Sequence, residues 1–276
     1  MKKMILTVAA VLLGASLFAY DIAAAAELKG GVKSVTRTDF AIVSKFGEYF
    51  RTPGAKTLYK FNGAGQVIES SELNSRDGLV NKIINTYDAD GNLTAETCFD
   101  SDNVQIWNTV ITYKNGKKAD SSEYAKGGVL KGRTIYSYTG DNLTDESYYD
   151  GDGAIMWKNV SKYNSANQLE TVDGYFADGS LDSEMQYAYS PAGKIDSITY
   201  FDQTGALTSK EVFRYDDKST LTEVTEYNAD NKVICRTLAK YDAKGNLAKI
   251  TVYNVARKFG TTVNEMVDMS EFAYEY

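Results

Sequence analysis

An aromatic, three turn-type residues, a glycine or asparagine, one further residue and an aliphatic recur down most of this chain. Tyr87-Asp88-Ala89-Asp90-Gly91-Asn92-Leu93 states the pattern in full. The aromatics that open it are Phe61, Tyr87, Tyr113, Tyr138, Tyr163, Tyr189, Tyr215 and Tyr241, spaced by 25 or 26 residues. A second series, Leu73, Phe99, Tyr124, Tyr149, Tyr175, Phe201, Tyr227 and Tyr253, keeps the same period. Two ladders in step count eight units, and self-similarity at a fixed period marks a repeat architecture.

Each unit reads as a β-hairpin with a turn to the next. The first turn carries Gly65, Gly91, Asn167, Gly193 and Gly245, with Ser219 in the same slot; the second carries Asn103, Gly128, Gly153, Gly179, Gly205 and Asn231. Gly and Asn accept the positive φ that short hairpin loops with a bulge require. Between turns the chain is rich in Tyr, Val, Ile and Thr, which suits strands. Sixteen strands at ~4.8 Å apart give a flat sheet about 77 Å wide, and open sheets beyond ~10 strands curl, split or close. The expectation is an all-β, elongated, twisted and curled antiparallel meander of eight repeats, with irregular capping strands at both ends.

The segments follow from this frame. Residues 1–26 read as a secretory signal: Lys2 and Lys3, the apolar run Met4 to Phe18, then the small residues Ala23 to Ala26. The first cysteine is Cys98, so no lipobox cysteine follows the apolar run, and no transmembrane segment is expected in the mature chain. Residues 27–54 read as N-terminal capping strands, 55–259 as the repeats and 260–276 as a C-terminal capping strand. Export, periplasmic or fully secreted, is the expected destination.

Composition removes several chemistries. There is no histidine and there are two cysteines, so Ser-His-Asp and Cys-His nucleophilic sites and His-ligated metals are excluded. A formal net charge of −7 does not suit nucleic acid, which needs a positive face. Acidic turns such as Asp88-Asp90-Asn92 and Asp150-Asp152 bring oxygens together, but the EF-hand glycine and glutamate positions fall on Leu93 and Phe99; they read as turn formers. Glu223 and Glu226 form one of many carboxylate pairs, with no spacing that singles them out. Cys98 and Cys235, far apart in a meander, are expected to remain unpaired. No cofactor and no metal site is expected.

Tyr87-Asp88 with Gly91-Asn92-Leu93, and Tyr241-Asp242 with Gly245-Asn246-Leu247, resemble the YD repeats of bacterial RHS-type proteins. The opening Leu28-Lys29-Gly30-Gly31-Val32-Lys33-Ser34-Val35-Thr36 with Lys45-Phe46-Gly47-Glu48 resembles the start of exported tandem-repeat proteins of Gram-negative bacteria. The resemblance covers nearly all of the mature chain and implies carbohydrate as a ligand class. It brings no catalytic residues. Large RHS proteins wind such units into a shell around a toxin; this chain departs from them with eight units.

One constellation stands out as a ligand-binding candidate. Trp107, Gly132 and Trp157 occupy one slot in three successive units, six residues before Tyr113, Tyr138 and Tyr163. They are expected on one face, the two indoles as walls and Gly132 as a bare floor, with Tyr136 and Tyr148 nearby. The alternative for these aromatics is packing within the sheet. The functional expectation is an exported, non-enzymatic binding or scaffold module of the cell envelope. Its partner is an envelope glycan or another envelope protein. The alternatives are an envelope carbohydrate-active hydrolase using paired carboxylates, and an inhibitor or immunity protein for a secreted toxin.

Overall fold

The turns show why the hairpins form. In the turn after Tyr87, the Gly91 amide donates to the Asp88 carbonyl at 3.1 Å and the Asp88 amide to the Asn92 carbonyl at 2.9 Å. The Asp88 carboxylate accepts from the amides of Asp90 and Asn92 at 3.0 and 2.8 Å, and Gly91 holds φ at 83°, where a side chain would be strained. The same construction recurs at Asp100, Asp150, Asp202, Asp216 and Asp242. The carboxylates are engaged by their own backbone, as short polar side chains in turns commonly are.

The computed structural model describes residues 28–258 and 260–276; the leader expected at 1–26 lies outside the described residues. Among the described residues every regular element is a strand: β1 Ser34–Lys45, β2 Glu48–Phe61, β3 Val67–Leu73, β4 Leu79–Tyr87, β5 Leu93–Asp100, β6 Gln105–Lys114, β7 Lys117–Ala125, β8 Val129–Thr139 and β9 Asn142–Asp150. There follow β10 Ile155–Tyr163, β11 Leu169–Phe176, β12 Leu181–Tyr189, β13 Ile195–Asp202, β14 Leu207–Tyr215, β15 Leu221–Asn228, β16 Val233–Tyr241, β17 Leu247–Lys258 and β18 Thr261–Glu275. Consecutive strands pair antiparallel throughout.

The open, elongated meander expected from the repeat is wrong. β1 pairs with β2 on one side and with β18 on the other, Ser34 opposite Glu275 through Ala41 opposite Asp268. The sheet is therefore a closed barrel of 18 strands. Its cause lies in stagger. The row Ile111–Ser121–Thr134–Tyr148–Trp157 crosses β6 to β10. Its members on β6, β8 and β10 stand two, four and six residues before Tyr113, Tyr138 and Tyr163. A row thus drifts two residues per hairpin, which tilts the strands, and tilt with stagger is what lets a sheet close. Barrels of this strand number leave an interior wider than side chains fill.

The repeating tyrosine earns its place at one mouth. Tyr87, Tyr113, Tyr163, Tyr189, Tyr215 and Tyr241 each donate a hydroxyl bond of 2.8–3.0 Å to a carbonyl 20 residues back. That carbonyl lies at the start of the preceding strand, on its first residue or, for Tyr163, its second, beyond the last ladder pair; for Tyr87 it is Val67, while pairing of β3 with β4 stops at Glu69 opposite Ile84. Tyr274 does the same to Leu247 at 2.6 Å. Each bond gives a donor to a backbone acceptor beyond the strand ladder; at Val67 the Asn85 side-chain amide donates as well, at 2.9 Å.

The same mouth is where the ends of the barrel are tied together. Asn246 is 1% exposed; it accepts from the Lys29 amide at 2.7 Å and donates to the Lys29 carbonyl at 3.0 Å. Leu28 and Val32 pack onto a cluster of Val35, Cys235, Ala239, Leu247, Ile250, Val252 and Phe272. Cys98 and Cys235 are both free and buried. Removing the Asn246 side chain leaves both Lys29 backbone groups without these partners. Asn246→Ala is expected to cost ~1–3 kcal/mol, and Asn92→Ala, the equivalent slot in another repeat, much less. Paired thermal melts check this; equal losses would show that the tie to Lys29 is not stabilising.

Candidate functional site

Alternation assigns each strand residue to the lumen or to the outside. One face carries the row Glu96–Thr109–Glu123–Gly132–Asp150, the row Tyr136–Glu146–Asn159–Gly174 and the row Tyr187–Ile198–Glu211–Glu226–Cys235. Burial pushes the carboxyls of Glu96 and Glu146 up, pulls Lys118 down and drives the Tyr187 hydroxyl up to about 12. Desolvation of this kind marks the concave, lumenal face. The other face carries cross-strand ion pairs: Lys60–Glu69 at 2.9 Å, and Arg133–Asp120, Lys162–Asp173 and Arg236–Glu223 each at 2.8 Å. Val80, Ile106, Val110, Met156 and Ile234 on that face are exposed, so it is the convex outside.

The lumen wall is divided. From β12 round to β17 it is largely apolar, with Ile198, Phe213 and Val224 buried together beside Met185, Tyr187 and Tyr200. From β3 to β10 it is polar and acidic, carrying Glu72, Glu96, Glu123, Glu146 and Asn159. Lys118 stands within this arc, its ammonium 4.4 Å from the Tyr136 ring centroid.

The candidate residues fall on this lumenal wall. Trp107, Gly132 and Trp157 lie near the mouth opposite the tyrosine ring, each just after a turn between hairpins. The register puts all three on one face: Trp107 is two residues from Thr109, which shares a row with Gly132, and Gly132 is two from Thr134, whose row ends on Trp157. The bare floor expected at Gly132 is not there. Tyr148 lies across it, and a Cβ at Gly132 would run into the Tyr148 hydroxyl. Tyr148 stacks on Trp157 with centroids 5.6 Å apart and planes at 12°. The result is a two-ring aromatic plate rather than a gap. Glu123 and Asp150 occupy the Gly132 row on the two flanking strands, and both charges press the Tyr148 hydroxyl upward after burial itself. Trp107 stands three strands from Tyr148 and four from Trp157, opposite Cys98 and Ala125, and Tyr136 is held under Lys118 deeper in the lumen.

Glu223 and Glu226 separate. Glu223 faces out to Arg236, whereas Glu226 faces the lumen opposite Glu211. The lumenal Lys118, Glu96, Glu123, Glu146 and Glu211 were not singled out by sequence. For most of them the signal is parity: Glu211 lies four residues before Tyr215, and Glu96, Glu123 and Glu146 lie three, one and three residues before Phe99, Tyr124 and Tyr149. Among the described residues no group of three or more His, Cys, Asp or Glu is placed to hold a metal ion.

A porin-like protein from Bacteroides uniformis superposes on this chain with a TM-score of 0.50 at 11% identity, over 90% of this chain and 99% of that one. A porin-like protein from Bacteroides vulgatus gives a TM-score of 0.38 at 12% identity, over 88% and 98%. No protein-family model matches the chain, and no curated protein matches it. At such identities the likeness is one of fold.

Glu211 is the lumenal acid with the largest consequence for pH. Burial pushes its carboxyl from 4.5 to about 7, with the Tyr200 hydroxyl donating to it at 2.9 Å and Glu226 beside it. A folded value above the unfolded one means that the folded state holds the proton more tightly, so stability falls as pH rises between 4.5 and about 7. Glu211→Gln is expected to melt above the parent at pH 8 and together with it near pH ~4. A parent whose melting temperature does not change across this window, or a variant equal to it at both ends, refutes the assignment.

Proposed function

We propose that this chain is an exported, non-enzymatic binding module of the cell envelope. It is a water-facing barrel that holds a carbohydrate chain at its lumenal mouth. The observation that carries the reading is the Tyr148–Trp157 plate, stacked at 12° and seated over Gly132. A pyranose ring presents C–H groups on its face and hydroxyls at its edge. A flat aromatic surface takes the first, and the carboxylates and amides around it, Glu123, Asp150 and Asn159, take the second. Trp107 adds a further aromatic surface three to four strands away, about 14–19 Å at ~4.8 Å per strand, the reach of an extended chain rather than a single sugar.

The outside of the barrel supports a location in water. A membrane-spanning barrel needs an outward apolar band ~25 Å tall with aromatic girdles. Here the outward face carries Lys60–Glu69, Arg133–Asp120, Lys162–Asp173 and Arg236–Glu223, and each Lys or Arg on a lipid-facing surface costs ~2–4 kcal/mol near the midplane, each Asp or Glu less. The purified chain is therefore expected to be monodisperse in buffer without detergent. Light scattering checks this; aggregation reversed by detergent would argue for a membrane-spanning barrel.

The chain has two tryptophans, both at the candidate site, so intrinsic emission reports on it directly. Soluble chito-oligosaccharides and other envelope glycan fragments are expected to shift or quench that emission. Trp157→Ala is expected to abolish the response of the remaining Trp107, with the melting temperature within a few degrees of the parent. A panel of glycans that leaves the emission unchanged defeats the carbohydrate reading. A variant that unfolds places the indole in the packing instead.

A further inference from the structure

Two hairpins leave the barrel at the mouth that carries the tryptophans. β1 pairs with β18 only as far as Ala41, and β2 pairs with β3 only from Lys56 onward, so residues 42–53 form a free two-stranded ribbon. β17 pairs with β16 only as far as Asn254, so residues 255–258 and 260–267 belong to a second ribbon beside it. Four to six extra residues per strand at ~3.3 Å each carry the tips about 15 Å past the rim.

The first tip is built against its own turn chemistry. Lys45 pairs with Glu48 across a two-residue turn in which Phe46 has φ 54° and Gly47 φ 82°. Such turns favour Asn-Gly, and the chain uses that pair in the equivalent turn between β6 and β7, where Asn115 also has φ 54°. Phe46 is the only aromatic at positive φ among the described residues, and it is fully exposed at 104%. A bulky residue at positive φ is unfavourable, and nothing it packs against offsets that here. Directly below it Val43 and Phe50, opposite each other, are also exposed. The other side of the ribbon is held down. Tyr49 takes the Met266 amide and donates to the Asn264 carbonyl, and Arg51 pairs with Glu271. Val43, Phe46 and Phe50 thus form one fixed apolar prow.

Charge says what the prow meets. The two ribbons carry Lys45, Arg51, Arg257 and Lys258 against Glu48 and Glu265; Arg51 and Lys258 are held by Glu271 and Glu265, which leaves Lys45 and Arg257 against Glu48, a local positive excess on a chain of net charge −7. Apolar and aromatic side chains at a tip, with basic residues behind them, match the boundary of an anionic bilayer, where the first enter the acyl edge and the second meet lipid headgroups. We infer that the two ribbons dock the barrel on an anionic lipid surface, Phe46 leading, with the tryptophan-bearing mouth turned toward the membrane. The ion-paired outer wall of the barrel stays in water.

The test uses a substitution that relieves the turn. Phe46→Asn restores the chemistry of Asn115-Gly116 and should melt at or above the parent temperature, so lost binding is not lost folding. The parent is expected to co-sediment with vesicles containing phosphatidylglycerol at low salt, and less with vesicles of phosphatidylcholine alone. Phe46→Asn is expected to weaken the partition at least about tenfold, the scale of one buried aromatic. A parent that stays in the supernatant with anionic vesicles, or a variant that partitions as the parent does, overturns the inference. So does a concentration-dependent dimer, seen by light scattering and abolished by Phe46→Asn, because it would give the prow to a second copy of the chain.

Discussion

The pairing of β1 with β18 is the contact on which everything else depends. Without it the hairpins would end in two long exposed strand edges, each a row of unpaired amides and carbonyls and a template for association. Neither strand belongs to the repeat. They run to 12 and 15 residues, against seven to eleven for the strands from β3 to β16, and they meet over Ser34–Ala41 and Asp268–Glu275. Asn246 then fastens the approach to β1 across β18. The repeats set the curvature and stagger; the two irregular strands turn that curvature into closure.

Much of the local structure was legible in the sequence, because its determinants are local. Gly91, Asn103, Asn167 and Asn231 mark turns by what their backbones tolerate, and each takes a positive φ. Closure was not legible. It arises from a two-residue drift per hairpin, which depends on which residue opposes which, and a one-residue bulge beside most turns sets that register. Width alone required a sheet of this size to curl, split or close, and did not choose among the three. The tyrosine ladder was legible as a position and not as a reason: the 20-residue reach from hydroxyl to carbonyl exists only once strands are staggered.

The candidate site shows the same division. That Trp107, Gly132 and Trp157 share a face followed from an even number of strands between them. That Tyr148 fills the space over Gly132 did not, because its ring leaves its own strand and crosses to the next. Nor did the sequence show which face is concave, and that fact separates Glu226 in the lumen from Glu223 outside. The same alternation would serve a membrane barrel with opposite chemistry. Here the paired charges lie outside and the desolvated acids and tyrosines inside, and the proposed water-facing barrel rests on that division.

The two mouths are unequal, and the inequality follows from how the barrel closes. At one, the tyrosine hydroxyls, the buried Asn246 and the N-terminal stretch from Leu28 to Val32 use up backbone hydrogen-bonding capacity and cover apolar surface. Stability concentrates there. At the other, the closing strands run on past the barrel as ribbons, and the aromatic plate of Tyr148 and Trp157 sits just inside the rim. Residues freed from holding the sheet together can be chosen for what they contact, and Phe46 in an asparagine's conformation is the plainest case. A ligand that entered from the tyrosine side would meet a rim along which the N-terminal stretch is tied to Asn246. One that entered from the ribbon side would meet first an apolar prow, then two indoles, then an acidic wall. The arrangement has a direction, set by the hairpins that extend beyond the sheet they close.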